Sequence, residues 1–372
     1  MINERLAPVL EVAREHAREV DADGTFPKAA MDALRASGLM GLTLPPVVGG
    51  LGAGPVEFVE TVSALASACG SSSLVYLMHV SAATVVAAAP PPGLPEAPSK
   101  LASGEWLGTL AFSERGSRSH FWAPVSRAVL KNGGVHVVAD KSWVTSAGQA
   151  DLYVVSTRAV APADAVSLYA VPGGNDGLTV AGPWLGMGMR GNASSPVALD
   201  AVFAEDQRLG ATDDGFHLMM EVVLPWFNLG SAAVSVGLAE AAVGASVEQA
   251  SAARFEHLGT TLADLPTIRA RLARMRIAVE TQRAYLRTSA ESVATPDEET
   301  LLHVLAVKAA ANDAALAITD DAMRVCGGAA YSKHLAVDRY FRDARAGSVM
   351  APTADALYDF YGKAITGRDL FS

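Results

Sequence analysis

The chain contains 372 residues, with 29 lysines and arginines against 39 aspartates and glutamates, so its formal net charge at pH 7 is -10. Half of the residues are hydrophobic, and a chain of this length can form two or three domains with substantial cores. The negative charge and the lack of a basic run exclude nucleic acid as an expected partner, because a phosphate backbone would be repelled. The two cysteines, Cys69 and Cys326, are too few for a disulfide framework and favour a reducing, cytoplasmic compartment.

The first part of the chain, residues 1–106, has helical periodicity. Leu6, Val9 and Ala13 fall on one face of an opening stretch that is rich in charged residues and lacks the continuous apolar core of a signal peptide. Glycines and prolines interrupt the helical pattern between residues 26 and 52. We therefore predict a helical N-terminal part and no export signal.

Residues 107–210 instead contain short apolar runs separated by glycine-rich turns. The runs at residues 135–139 and 151–156 are rich in valine and typical of strands, and Asn-Gly-Gly at residues 132–134 is a turn signal. These features predict a β module. Because its strands are confined to one central block, they cannot alternate with crossover helices, and a doubly wound sheet is excluded.

Long helical periodicity returns from residue 211 to the end of the chain. One uncharged run, residues 222–239, approaches the length at which a membrane span becomes possible. It contains Pro225, Asn228 and many small residues. We interpret it as a helix buried inside a large protein, and we expect no membrane span.

Several common catalytic motifs are missing from the sequence. It has no phosphate-binding loop, and the glycines at residues 50–54 have the wrong spacing for a dinucleotide fingerprint. The eight histidines are scattered, without a His-x-x-x-His pair, so no metal site is predicted. No Gly-x-Ser-x-Gly elbow occurs, and hydrolysis is not indicated.

Four segments in a fixed order carry a recognisable pattern. They are Phe-Pro at 26–27 with Gly-Gly-Leu-Gly at 49–52, Ala-Phe-Ser-Glu-Arg-Gly-Ser-Arg-Ser at 111–119, Lys-Ser-Trp-Val-Thr-Ser-Ala at 141–147, and Cys-Gly-Gly at 326–328 followed by Arg-Asp-Ala-Arg at 342–345. Through these segments the chain resembles the acyl-CoA dehydrogenase flavoprotein family over nearly its whole length.

The resemblance implies a fold that is mainly α with a β middle domain. An N-terminal α domain would occupy residues 1–106, a β-barrel-like middle domain residues 107–210, and a C-terminal four-helix bundle residues 211–372. FAD would lie between the β domain and the bundle. Small residues such as Gly230 and Gly237 suit close helix packing in that bundle.

The resemblance also implies cofactor contacts. Phe112 and Ser113 would face the pyrimidine edge of the flavin, Trp143 would cover the isoalloxazine ring, and Thr145, which follows Val144, would hydrogen-bond flavin N5. A flavin needs a flat apolar wall and a donor at N5, although a tryptophan in a strand is by itself more often a core residue. The other residues that the resemblance assigns to FAD are Arg254, Gly327, Gly328 and Thr353, with the paired glycines often reaching FAD from a neighbouring subunit.

The catalytic base of the family is missing from its usual place. Most members carry a glutamate after the Arg-Asp-Ala-Arg run, where it removes the α-proton of the acyl thioester, but this chain has Ala351 there. Some members carry the glutamate on the first bundle helix, at a position aligned near Phe227. Glu221, Asp355 and Asp359 are the possible substitutes, and we assign the base to Glu221, with a solvated helix charge as the alternative.

Further residues concern the substrate side of the predicted site. By the resemblance, Ser119 lies near the thioester, and Trp226 and Phe227 lie on the helix that lines the acyl pocket. Their bulk predicts a short or compact acyl group. Arg115 replaces a proline of the family pattern, and His120 replaces an aspartate.

Three functions follow from this pattern. The first is α,β-dehydrogenation of an acyl thioester on coenzyme A or a carrier protein, with electrons passed to an electron-transfer flavoprotein. The second is a flavin-dependent monooxygenase or N-hydroxylase that takes reduced flavin from a separate reductase and needs a dry, shaped cavity more than a base. The third is a non-catalytic subunit of a hetero-oligomer. We favour the dehydrogenase and expect a homo-oligomer, either a tetramer or a dimer.

Overall fold

The N-terminal part of the computed structural model, which describes residues 2–118, 120–162 and 164–371, is helical. Its helices are α1 (Ile2–Asp23), α2 (Lys28–Ser37), α3 (Pro55–Ala68), α4 (Gly70–Ala88) and α5 (Ala97–Ser103). Helix α1 buries the apolar face that its sequence pattern predicts, including Leu6, Val9 and Ala13. Helix α2 ends at Gly38, whose φ of 72° is the left-handed conformation that favours glycine after a helix.

The middle of the chain forms two four-stranded sheets. Its strands are β1 (Gly108–Ala111), β2 (Val129–Lys131), β3 (Gly134–Val144), β4 (Leu152–Arg158), β5 (Val166–Pro172), β6 (Leu178–Val180), β7 (Ser195–Phe203) and β8 (Arg208–Leu209). One sheet has the order β1-β4-β5-β8 with β1 parallel to β4, and the other is antiparallel in the order β2-β3-β7-β6. Alternate residues of both sheets, such as Val137, Tyr153 and Leu199, share one buried core.

The C-terminal part is again helical. It comprises α6 (Gly215–His217), a π-helical turn (Leu218–Val223), α7 (Leu224–Ala252), the short strands β9 (Arg254–Phe255) and β10 (Thr260–Thr261), α8 (Pro266–Ala294), α9 (Thr300–Cys326), α10 (Gly328–Tyr331), α11 (Val337–Val349) and α12 (Ala354–Ile365). Helices α7 and α9 pack against each other, and α8 and α11 each contact both of them. This arrangement confirms the predicted fold class, with the strands lying between two helical regions.

Two glycines of α7 allow close packing, but their partners differ from our expectation. A Cβ atom on Gly230 would lie 2.2 Å from Leu77 Cδ1, and one on Gly237 would lie 2.1 Å from the carbonyl oxygen of Ser63. These neighbours belong to α4 and α3, so the small residues bring the N-terminal helices against α7 instead of joining helices within the bundle.

Three helical stretches are long and apolar enough to cross a membrane, judged by length and composition alone. They are α4, the continuous stretch Gly215–Ala252, and α9. In this fold, 83% of the apolar window of each of the first two stretches and 50% of that of α9 are buried inside the protein. The uncharged run at residues 222–239 is thus an interior helix, because α3, α4 and α9 cover it.

Candidate active site

A cavity of about 730 Å³ lies where the β sheets meet α4, α7 and α11. Its volume is in the range of small-molecule sites in proteins. One side of the cavity is apolar and is formed by Leu74, Met78, Leu110, Phe112, Phe121, Val223 and Phe227. The other side contains hydroxyl groups, arginines and two tryptophans, so the cavity can hold a ligand with one apolar and one polar part.

Trp143 forms a flat wall of this cavity. The pairing of β3 with β7 shifts register between Lys141 and Val144, and within this bulge Trp143 has a φ of 57°. Such a conformation costs a bulky residue about 1–3 kcal/mol and often marks a functional site. The side chain is 67% exposed although it lines the cavity, and Trp184 contacts its ring edge-on at 5.9 Å. The bulge therefore places the indole on the cavity lining, with much of its surface uncovered.

Hydroxyl groups lie beside this indole. Thr145 is buried, and its Oγ1 lies 3.0 Å from Ser194 Oγ, while its carbonyl oxygen accepts a hydrogen bond from Thr109. Ser113 is half-buried, and its carbonyl oxygen accepts the Ser142 N–H at 2.9 Å, which ties the loop after β1 to the bulge of β3. Ser113, Thr145 and Ser194 all line the cavity. A planar ring with polar edges matches this set of donors and acceptors.

Glu114 also lines the cavity, but its carboxylate is already bound. Lys141 Nζ lies 2.7 Å from Glu114 Oε1, and both side chains are buried. The Val125 and Ser126 N–H groups each donate to Oε2 at 2.7 Å. Burial alone would raise the pKa of Glu114, but Lys141 and Ser126 outweigh it and hold the pKa below its ordinary value. Glu114 is a permanent ion-pair partner and is not available as a proton acceptor.

The wall opposite the sheets is formed by the end of α11 and the segment after it. Met350, Ala351 and Thr353 line the cavity there. Thr353 also begins α12, because its Oγ1 accepts the Ala356 N–H. Ala351 thus stands at the cavity, and its methyl group cannot accept a proton. Among the described lining residues, Glu114 is the sole carboxylate.

Glu221 is not positioned to act as the base that we assigned to it. Its side chain is exposed on the π-helical turn and lies outside the lining, whereas Val223 and Phe227 of the same stretch face the cavity. A π turn contains an extra residue, so the face of each side chain cannot be extrapolated from regular helical spacing. Asp355 and Asp359 are exposed as well and do not line the cavity.

The other predicted site residues divide into two groups. Phe112, Ser113, Trp143, Thr145, Phe227 and Thr353 are brought together around the cavity. Trp226 is not, because its ring packs edge-on against Phe58 at 5.3 Å and joins α7 to α3. Val144 is buried in the core of the β sheets, so the cavity is contacted by its neighbours and not by its side chain.

Three predicted cofactor residues lie apart from this cavity. Arg254 is exposed in β9, and Gly327 and Gly328 follow the end of α9 with open space around them. None of the three is among the lining residues of this chain. Ser119, predicted to lie near the thioester, is outside the described residues.

Asp343 is a functional candidate that sequence reasoning missed. It is fully buried, and its Oδ1 accepts the Met189 N–H at 2.6 Å, so that it holds a cavity-lining residue in place. Burial raises the pKa of Asp343 to about 6. Its neighbour Arg342 lines the cavity and pairs with Asp21 at 2.6 Å. The Arg-Asp-Ala-Arg run pointed to the region of Asp343, but the sequence could not identify Met189 as the hydrogen-bond partner of Asp343.

The remaining charges on the cavity lining are positive. Arg115, Arg118 and Arg345 contribute to it, and in the described part of the chain no carboxylate lies within ion-pair distance of any of the three. Over residues 2–118, 120–162 and 164–371, no group of three or more His, Cys, Asp or Glu residues is arranged to hold a metal ion. The lining therefore favours an anionic organic ligand.

Comparison with known proteins finds relatives that match nearly the whole chain. Cyclohex-1-ene-1-carbonyl-CoA dehydrogenase of Geobacter metallireducens is 28% identical over 359 residues, which cover 95% of this chain and 92% of the relative. The structure of butyryl-CoA dehydrogenase from Megasphaera elsdenii superposes with a TM-score of 0.89 at 22% identity, over 97% of this chain and 98% of the other. The FAD complex of PigA superposes with a TM-score of 0.90 at 17% identity, over 98% of this chain and 96% of the PigA chain.

Family profiles match the chain in three consecutive blocks. The acyl-CoA dehydrogenase N-terminal domain matches residues 7–90, the middle domain residues 109–202 and the C-terminal domain residues 213–365. The matched blocks follow the observed order of helices, strands and helices. The chain belongs to the acyl-CoA dehydrogenase family.

Proposed function

We propose that this protein is an FAD-dependent oxidoreductase that removes hydrogen from the Cα–Cβ bond of a short or compact acyl thioester. The observation that carries the proposal is the Trp143 wall. A bulge holds the tryptophan at a φ of 57°, with its ring facing a cavity that also carries the hydroxyls of Ser113 and Thr145. Bound FAD would supply the hydride acceptor at this wall.

The described residues fit a flavin in this position. The indole of Trp143 offers a flat apolar surface for an aromatic ring system, and Thr145 and Ser113 offer hydroxyls at its edge. Phe112 and Thr353 would complete the contacts from the loop after β1 and from the start of α12. Arg254, Gly327 and Gly328 would contribute to FAD from a neighbouring subunit, since they lie apart from the cavity of their own chain.

The apolar side of the cavity supports a compact acyl group. Leu74 and Met78 of α4 line it together with Val223 of the π-helical turn and Phe227 of α7, and these apolar side chains suit a small acyl group. The names of two relatives, butyryl-CoA dehydrogenase and cyclohex-1-ene-1-carbonyl-CoA dehydrogenase, refer to substrates of this size. The arginines of the lining would meet the negative charges of the cofactor and of the thioester carrier.

One observation favours a second candidate function. Ala351 replaces the carboxylate that would accept the Cα proton, and the carboxylate of Glu114 is held by Lys141. Dehydrogenation by this chain thus requires a proton acceptor outside the described lining. A flavin-dependent monooxygenase or N-hydroxylase, supplied with reduced flavin by a reductase, has no such requirement. A non-catalytic subunit of a hetero-oligomer would also lack the base.

An anaerobic titration separates these functions. The FAD-loaded protein is mixed with butyryl-CoA, isobutyryl-CoA and cyclohex-1-ene-1-carbonyl-CoA, and the visible absorption band of the flavin is followed. The dehydrogenase proposal expects bleaching by at least one thioester. If none bleaches the flavin, but substrate-dependent oxygen uptake follows the addition of a flavin reductase, the protein is a monooxygenase. If neither occurs, the non-catalytic role applies.

The proposed partners follow from the same function. An electron-transfer flavoprotein would reoxidise the dehydrogenase, whereas a flavin reductase would serve the monooxygenase. We propose a homotetramer or a homodimer in the cytoplasm. The free and buried thiols of Cys69 and Cys326 support a reducing compartment, and size-exclusion chromatography with light scattering measures the oligomeric state.

A further inference from the structure

Lys308 of α9 is a buried amine that has no anionic partner in the described part of the chain. Two lysines, Lys141 and Lys308, are fully buried in the described part of the chain. Lys141 has Glu114 as its counter-ion at 2.7 Å. Lys308 has no carboxylate within ion-pair distance among the described residues, and burial lowers its pKa to about 7. A methionine of similar length would avoid the cost of burying an amine there.

What the Lys308 amine adds is three directional hydrogen bonds to one segment. Its Nζ donates to the carbonyl oxygens of Gly347 at 3.0 Å, Met350 at 3.0 Å and Pro352 at 2.7 Å. In its ammonium form, which prevails below about pH 7, the amine has three N–H donors, one for each of these acceptors. Gly347 belongs to the last turn of α11, where helix carbonyls lack partners and carry partial negative charge. The lysine therefore acts as a side-chain cap on the end of α11.

The neighbouring turn of α9 holds α11 close enough for these bonds to form. Asn312 follows Lys308 by one turn, and its Oδ1 accepts a hydrogen bond from Ser235 at 2.7 Å. A Cβ atom on Gly347 would lie 2.5 Å from that same Oδ1. Glycine at position 347 thus permits the contact between α9 and the end of α11.

The segment that Lys308 binds forms the part of the cavity wall where Ala351 stands in place of the family's catalytic glutamate. The carbonyls of Met350 and Pro352 lie on either side of Ala351, and Met350, Ala351 and Thr353 line the cavity. We propose that Lys308 is a positioning residue that fixes the backbone of residues 347–353 and so sets the shape of the site opposite the sheets. Its effect on substrate binding rests on the proposed function, whereas its effect on the wall does not.

Hydrogen–deuterium exchange tests the positioning role without any ligand. Three single variants are compared with the unsubstituted protein: Lys308→Met, which keeps the volume and removes all donors, Lys308→Gln, which keeps two donors, and the matched control Lys141→Met at the other buried lysine. We expect amides of residues 347–351 to exchange about tenfold faster or more in Lys308→Met, because three hydrogen bonds to a charged group are lost, and by a smaller factor in Lys308→Gln. The control is expected to raise exchange around Glu114 and to leave residues 347–351 unchanged.

Two exchange results would overturn the proposal. Either unchanged exchange at residues 347–351 in Lys308→Met, or a uniform increase over the whole chain in both methionine variants, would reduce Lys308 to a general stability residue. Lys131→Met, at an exposed lysine of β2, serves as the control for loss of charge alone.

Binding of butyryl-CoA to the FAD-loaded protein tests the consequence for the site. We expect Lys308→Met to weaken binding about tenfold, with Lys308→Gln in between and Lys131→Met unchanged. Faster local exchange with unchanged butyryl-CoA affinity would contradict a role in shaping the site. If the unsubstituted protein itself does not bind butyryl-CoA, it is the proposed function that fails, while the exchange result still decides whether Lys308 fixes the wall.

Discussion

At the scale of single residues, Trp143 and Ala351 define the chemical character of the cavity from opposite sides. Trp143 is a large side chain in a backbone conformation that few large residues adopt, and it is 67% exposed inside a cavity. Ala351 is small and inert where a proton acceptor is needed. The site therefore offers an aromatic surface for a planar cofactor, but position 351 offers no group that could accept a proton from a substrate.

Replacing Ala351 by glutamate places a carboxylate on the cavity wall. Positioned general bases contribute about a hundredfold or more to rate, so Ala351→Glu is expected to speed thioester-dependent bleaching of the flavin by about that factor. Rapid-mixing absorbance with butyryl-CoA measures it, and Ala351→Gln controls for size. A gain in both variants, or in neither, would show that the missing carboxylate does not limit the reaction.

Removing the Trp143 indole tests the proposed flavin wall. Loss of a stacking aromatic surface is worth about 1–1.5 kcal/mol, so Trp143→Ala is expected to weaken FAD binding about tenfold, while Trp143→Phe retains most of it. Quenching of flavin fluorescence measures the affinity. The melting temperature of the cofactor-free protein should change little, because the side chain is largely exposed. Equal FAD affinity in the alanine and phenylalanine variants would place the flavin elsewhere.

At the scale of elements, helical phase explains which site residues the sequence could predict. Trp143 lies in the bulge at the end of β3 and Thr145 directly follows the strand, and the resemblance to the family, not a periodic pattern, implied both as site residues. Glu221 and Trp226 lie in or just after the π-helical turn. One extra residue there rotates every side chain relative to a regular helix, and the predicted base fell on the outer face.

Asp343 links α11 to the loop that carries Met189, and its charge state is expected to affect stability. Burial raises its pKa from 3.8 to about 6, so the folded protein binds more protons than the unfolded chain between these values. Stability contributed by this group is therefore lost as the pH rises from about 4 to 6. Asparagine resembles the protonated acid and can still accept the Met189 N–H.

The variant Asp343→Asn should accordingly be more stable than the parent above pH 6, by about 3 kcal/mol at 1.4 kcal/mol per pKa unit. The difference should vanish near pH 4. Urea unfolding at several pH values measures it, with the exposed Asp355→Asn as the control. Destabilisation of Asp343→Asn at neutral pH would mean that the carboxylate charge is needed for the fold.

At the scale of the whole molecule, the order of helices, strands and helices could be read from the sequence because each part has its own periodicity. The helical periodicity predicted from residue 211 onwards corresponds in the structure to the long helices α7, α8 and α9. Contacts between the parts could not be read in this way. The packing of α3 and α4 on the glycines of α7 depends on which helices meet in space.

His79 forms one of these contacts, between the N-terminal helices and the β sheets. It lies in α4, its Nδ1 accepts the Gly108 N–H of β1 at 3.1 Å, and its Nε2 lies 3.2 Å from the Met40 carbonyl oxygen. Burial lowers the pKa of His79 to about 4 from 6.5, so the imidazole stays neutral in the folded protein. Between these values the unfolded chain binds more protons than the folded protein, and stability is lost as the pH falls.

Replacing His79 by glutamine keeps one donor and one acceptor and removes the titration. We expect the loss of unfolding free energy between pH 7 and about pH 4.5 to be smaller in His79→Gln by about 2–3 kcal/mol, at 1.4 kcal/mol per pKa unit. Urea unfolding at the two pH values measures it, and the exposed His334→Gln should behave like the parent. Over the same pH range the contribution of Asp343 to stability changes in the opposite direction. The unfolding free energy of each variant is therefore compared with that of the same variant at neutral pH. If His79→Gln loses as much stability as the parent, this contact between α4 and β1 does not control acid unfolding, and the carboxylates do.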